Sequence, residues 1–140
     1  LGATFFPARA EIISRNPLTV LDGAHNPDGA DALAEIMKKY GGRITAIIGV
    51  MRDKDYETVL KKTLQYCRAA VAVTVENMPR SLAGEKLAAA ASKYCPCITA
   101  ENYGAAIEKS RSSAGGDPVF VFGSLYLASG IREKLKNFYN

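Results

Sequence analysis

The sequence predicts an α/β fold, a mostly parallel sheet with helices on both faces and an antiparallel edge hairpin at its start, and three observations carry that expectation. Short apolar, β-suited runs alternate along the chain with segments whose apolar residues recur at helical spacing. The runs at 44–50 and 119–122 are apolar at nearly every position, so both of their faces need cover. The segments between strands are long enough for helical crossovers, the connection that parallel strands require. Size and composition agree with one compact unit: the chain has 140 residues, 48% hydrophobic and 23% charged, the balance of a protein that can bury a core.

Taken in order, Ala10 to Ser14 precedes the turn signal Asn16-Pro17 and is expected to pair antiparallel with the strand Leu18 to Leu21. From Asp28, the residues Leu33, Ile36, Met37 and Tyr40 mark one face of a first helix, which Gly41-Gly42 stops. Ile44 to Val50 is the next strand, and Tyr56, Val59, Leu60, Leu64 and Cys67 share a face of the second helix. Ala69 to Val75 is a third parallel strand. Ser81 to Tyr94 is rich in Ala, Leu and Lys and predicts a helix with Ser81 at its N-cap. A weak strand near Ile98, a helix over Tyr103 to Ser112 and a strand over Val119 to Phe122 follow; Leu127, Ile131, Leu135 and Phe138 give the last helix its apolar stripe. Right-handed crossovers bring the carboxyl ends of the strands to one edge, so the loops after Leu21, Val50, Val75 and Phe122 gather there and a ligand is expected among them.

Composition excludes several classes. No apolar run approaches the ~20 residues that cross a bilayer, and the opening LGATFFPARA lacks a secretory pattern, so neither a membrane partner nor export is expected. The formal net charge of +4 suits anionic small molecules and is too mild, and its basic residues too scattered, for nucleic acid. Cys67, Cys95 and Cys97 are an odd set without zinc-knuckle spacing, and are read as small apolar residues of a chain in a reducing cytoplasm. No metal ligands are assigned. The chain begins at Leu1 rather than Met, which fits a fragment or a processed chain.

Chemistry is expected in the loops. Asp22-Gly23-Ala24-His25-Asn26-Pro27-Asp28-Gly29 combines a carboxylate at a strand end, which can accept from ribose hydroxyls, with the only histidine, which can donate to a phosphate or a developing anion. The same residues equally fit an Asx-turn and helix cap made by Asp22 and Asn26. Met51-Arg52-Asp53-Lys54-Asp55 places four charges after a buried strand, where Asp53 or Asp55 is either a helix cap or a site residue. Arg9 is either a surface cation or a fork for phosphate. Ser124 is either an N-cap or a site residue, and Gly123-Ser124-Leu125-Tyr126 is not a nucleophile elbow. No Gly-x-x-x-x-Gly-Lys-Ser/Thr occurs anywhere, so this chain does not cradle a triphosphate in the Walker manner.

Phe6-Pro7-Ala8-Arg9-Ala10-Glu11, then Asp22-Gly23-Ala24-His25-Asn26-Pro27, then Gly49-Val50-Met51-Arg52-Asp53-Lys54-Asp55, with Met78-Pro79-Arg80-Ser81 and finally Phe122-Gly123-Ser124-Leu125-Tyr126-Leu127, together resemble the carboxy-terminal domain of the folylpolyglutamate synthases and dihydrofolate synthases, within the Mur ligase superfamily. The resemblance runs in order over essentially the whole chain and implies a Rossmann-like Mur ligase carboxy-terminal domain. It further implies an ATP-dependent ligase that joins glutamate to folate or dihydropteroate through an acyl phosphate, with Mg²⁺ and the P-loop held by an amino-terminal domain that these 140 residues lack. Arg9, Asp22, His25 and Asn26 are then the nucleotide-binding residues, His25 is the catalytic one, and Ser124 faces the incoming amino acid. Ala8 departs from the glycine usual before that arginine. A domain with half an active site is expected to be inactive alone. Another Mur-type amino-acid ligase and a non-catalytic nucleotide-binding module are the alternatives.

Overall fold

The computed structural model describes residues 10–139. Strands β1 (Glu11–Arg15), β2 (Leu18–Leu21), β3 (Ile44–Ile48), β4 (Cys67–Val73), β5 (Cys97–Ala100) and β6 (Val119–Phe122) form one sheet with helices α1 (Pro27–Met37), α2 (Tyr56–Thr63), α3 (Gly84–Ala91), α4 (Tyr103–Ala114) and α5 (Leu125–Tyr139) around it. The strand order is β1-β2-β6-β3-β4-β5. Only the β1–β2 pair is antiparallel; the remaining pairs are parallel. The expected sheet, its edge hairpin and the strand β6 at Val119–Phe122 are therefore present.

Connection handedness sorts the helices. The chain moves in one direction from β2 past β3 and β4 to β5, so right-handed crossovers lay α1, α2 and α3 on one face. The return from β5 to β6 reverses that direction and puts α4 on the other face, followed by α5. Side chains obey this division. Leu33 and Met37 of α1, Leu60 of α2 and Leu87 of α3 pack with Ile44, Ile48, Phe120 and Phe122. Tyr103 and Ile107 of α4 and Leu127, Ile131 and Leu135 of α5 pack with Ile47, Val71, Val73 and Val121. Strand β6 thus turns its two phenylalanines to one core and its two valines to the other, and each such side chain fully buried contributes about 1.5–3 kcal/mol.

Three sequence expectations are corrected. Cys67 is not on the second helix: α2 ends at Thr63, a 3₁₀ turn covers Leu64–Tyr66, and Cys67 opens β4. It read as helical because it is buried in the same core as Leu60 and Leu64. Ser81 does not cap a helix. Its backbone bridges Met51, its hydroxyl accepts from the Val75 N–H at 2.8 Å, and α3 starts only at Gly84, whose N–H donates to Thr74 Oγ1 at 2.9 Å. Phe138 is 44% exposed and meets Tyr139 edge-on, outside the buried stripe of α5. No helix among the described residues is long and apolar enough to cross a membrane.

Candidate functional site

The loops after β2, β3, β4 and β6 meet at the carboxyl edge of the sheet, where β6 lies between strands whose helices leave on the opposite face. Such a switch point leaves a crevice beyond the strand ends. Asp22 continues the ladder by one residue, its N–H donating to Val121 O at 2.8 Å. Its Oδ1 accepts from the Ala24 N–H at 2.7 Å, which turns the chain. His25 Nδ1 lies 2.9 Å from Gly23 O. A carbonyl only accepts, so Nδ1 carries the proton, and Nε2 accepts in the neutral ring and donates only in the imidazolium. Asn26 then caps α1, its Oδ1 accepting from the Gly29 N–H at 2.8 Å, and Pro27 occupies the first turn. The turn-and-cap arrangement and a ligand site are compatible, because these bonds are what shape the loop.

Beneath this loop is a cavity of about 380 Å³. Asp22, Gly23, His25 and Asn26 form its polar lip, and Leu33 and Ile36 of α1, Ala10 and Leu125 supply apolar wall. A second cavity of about 160 Å³ shares His25 and Leu125 with the first and adds Met51, Lys54, Arg80, Ser124 and Tyr126. Leu125 and Tyr126 are each half exposed here. One large cavity with an apolar wall and an acidic lip thus abuts a smaller one rimmed by cations.

Close backbone packing makes the two cavities neighbours. Gly123 has φ +123°, and a Cβ there would stand 2.5 Å from Gly49 O, so only glycine lets the loop after β6 lie against the end of β3. The loops after β3 and β4 are joined as well: the Arg52 N–H donates to Arg80 O and the Leu82 N–H to Val50 O. Arg52 reaches the Pro79 carbonyl, and Arg80 Nη1 pairs with Asp53 Oδ2 at 2.7 Å. That hydrogen bond holds the Asp53 carboxyl below its ordinary value. Asp55, not Asp53, caps α2. Ser124 is buried, and its Oγ accepts from the N–H groups of Tyr126 at 3.0 Å and Leu127 at 3.4 Å, capping α5 while lining the smaller cavity. Behind the site, Glu76 and Tyr103 clasp each other: the Glu76 N–H donates to the Tyr103 hydroxyl and the Tyr103 N–H to Glu76 Oε2.

The family model of the Mur ligase glutamate ligase domain matches residues 8–125. The chain belongs to that family. Folylpolyglutamate synthase of Lacticaseibacillus casei is 37% identical over 139 residues, 96% of this chain and 31% of the relative. Among solved structures, Mycobacterium tuberculosis folylpolyglutamate synthase complexed with ADP superposes with a TM-score of 0.83 at 29% identity, covering 91% of this chain and 32% of that one. E. coli FolC in complex with DHPP and ADP superposes with a TM-score of 0.84 at 26% identity, covering 96% and 32%. This Mur ligase domain therefore spans about a third of the length of the curated relatives it matches.

Of the residues singled out in the sequence, Asp22, His25 and Asn26 line the larger of these two cavities of the Mur ligase domain, and His25 and Ser124 line the smaller. Arg9 lies outside the described residues. Lys54 and Arg80 on the smaller cavity, and Ala10, Leu33, Ile36 and Leu125 on the larger, were not assigned from sequence; helical spacing marked Leu33 and Ile36 only as core. No group of three or more His, Cys, Asp or Glu side chains that could hold a metal ion occurs among the described residues.

Proposed function

We propose that this Mur ligase domain is the carboxy-terminal part of an ATP-dependent ligase that joins glutamate to folate or dihydropteroate, closing over a nucleotide held mainly by an amino-terminal domain. The observation that carries the reading is the larger cavity, with its apolar wall and Asp22–Asn26 lip, in a domain whose relatives are folylpolyglutamate synthases, one of them complexed with ADP. A nucleoside has the matching chemistry: a flat apolar base for the Leu33 and Ile36 side, and ribose hydroxyls that donate to Asp22. Asn26 and His25 stand on the phosphate side, with His25 donating from Nε2 as the imidazolium to charge that develops during transfer. Arg9 offers a planar fork to phosphate oxygens.

In this reaction the substrate carboxylate takes the γ-phosphoryl group of ATP, and the glutamate amine then displaces phosphate to form the amide. Ser124, beside His25 on the smaller cavity, faces the glutamate. Mg²⁺ is assigned to the amino-terminal part, together with the P-loop that this sequence lacks. Domain closure supplies catalysis by positioning: neither half alone aligns the acyl phosphate with the amine. The cytoplasm is the matching compartment. The test is ADP release by the full-length protein with ATP, Mg²⁺, glutamate and a pterin acid. Release dependent on both glutamate and the pterin, with none from the isolated 140-residue chain, is expected. Release indifferent to glutamate, or equal release by the isolated chain, overturns the proposal.

A further inference from the structure

The antiparallel register of β1 and β2 pairs Glu11 with Leu21, so the residue before Glu11 stands beside Asp22 at the carboxyl edge of the sheet. That residue, Ala10, has φ +56° and lines the larger cavity. A left-handed backbone is strained for alanine, so its neighbours must fix it. The fixing contact is one residue on: Arg132 of α5 grips the Glu11 carboxylate by Nε at 2.9 and 3.1 Å and by Nη2 at 2.7 Å. The two side chains are 18% and 31% exposed, and the fork geometry is the one in which an ion pair contributes direction as well as energy. The Glu11 carboxylate also holds the Arg132 guanidinium above its ordinary value. Among the described residues β1 has one strand neighbour, β2, and it also packs against α5.

We infer that the Glu11–Arg132 pair is a positioning latch for nucleotide binding: by pinning β1 to α5 it sets Ala10 against the cavity. The inference rests on the nucleotide reading of that cavity. Arg132 touches no ligand in this scheme; it acts through the backbone of residues 10 and 11.

The experiment uses the full-length protein, with ADP titrated calorimetrically and ATP-dependent turnover measured in parallel. Arg132→Met, which keeps the apolar stem and removes the fork, is expected to weaken ADP binding and raise the KM for ATP about tenfold, the change that ~1.4 kcal/mol produces. The effect on kcat is expected to be the smaller of the two. Exchanging the charges, Glu11→Arg with Arg132→Glu, should restore most of the affinity. If Arg132→Met does not fold, Arg132→Lys and Glu11→Gln carry the same comparison. A lowered thermal midpoint with ADP affinity unchanged would make the pair merely structural and overturn the inference, as would failure of the charge exchange to restore affinity. Wild-type protein that binds ADP but shows no glutamate-dependent turnover would defeat the functional reading, while the titrations still decide the latch. Wild-type protein that binds no ADP defeats both.

Discussion

Gly123→Ala is the substitution whose cost can be worked most directly from the geometry. Two penalties fall on the same atom. The backbone at φ +123° is one that L side chains rarely adopt, a strain of about 1–3 kcal/mol. The new Cβ would also stand 2.5 Å from Gly49 O and 3.0 Å from Val50 Cγ1, and relieving a clash against backbone costs about 1–3 kcal/mol more. The sum, roughly 2–6 kcal/mol, is a large part of the 5–15 kcal/mol that holds a typical domain together. Gly42 isolates the two effects, since it has φ +76° with nothing within 4 Å of its Cβ position; Gly42→Ala should cost only about 1–2 kcal/mol. Urea unfolding of the chain, followed by far-ultraviolet circular dichroism, measures both. Equal losses for the two variants would refute the close-approach argument, because only Gly123 faces a carbonyl.

Asp22→Ala removes the turn acceptor of the Ala24 N–H together with the proposed ribose contact, and in the full-length protein should raise the KM for ATP in the proposed reaction by the equivalent of about 1–3 kcal/mol; an unchanged KM would take Asp22 out of the site. Tyr103→Phe strips the Glu76 N–H of its partner and should cost about 1–3 kcal/mol in unfolding free energy without altering the sheet; a loss indistinguishable from zero would show that solvent replaces the hydroxyl. Burial pushes the Cys97 thiol up to about 12, and those of Cys67 and Cys95 above their ordinary value of 9.0. The unfolded chain therefore releases these protons first, and the stabilisation that keeping them gives is complete below about pH 9 and lost as pH rises toward 12. Cys97→Ala should flatten the decline of the urea midpoint above about pH 9; an unaltered slope would show that this thiol is not held protonated.

What could be read from the sequence was what local chemistry decides. Strand β6 was found to the residue because four apolar positions stand between Gly116-Asp117-Pro118 and Gly123, and the start of α1 to within one residue, at Asp28 against the observed Pro27, because the Asn26 cap has its partner within one helical turn. Ser81 failed for the opposite reason. Its hydroxyl is claimed by Val75 and its backbone by Met51, partners that no helix-cap rule consults. The same divide runs through the site. Asp22, His25 and Asn26 form a loop whose bonds span two or three residues, and so was legible as a strand-end loop. Lys54 and Arg80 come to one cavity only because the loops after β3 and β4 are tied across 27 residues of sequence. Ala10 offered no signal, since alanine is not a residue expected at a positive φ.

The strand at the middle of the sheet, β6, is made after the other five. Until residues 119–122 are made, β2 and β3 have no common neighbour and both hydrophobic layers stand open along their centre. A nascent or prematurely terminated polypeptide ending before Val119 would hold the acidic lip and the cationic rim as unconnected pieces, exposed to proteolysis and aggregation, and the pocket comes into being only once residues 119–122 join the sheet.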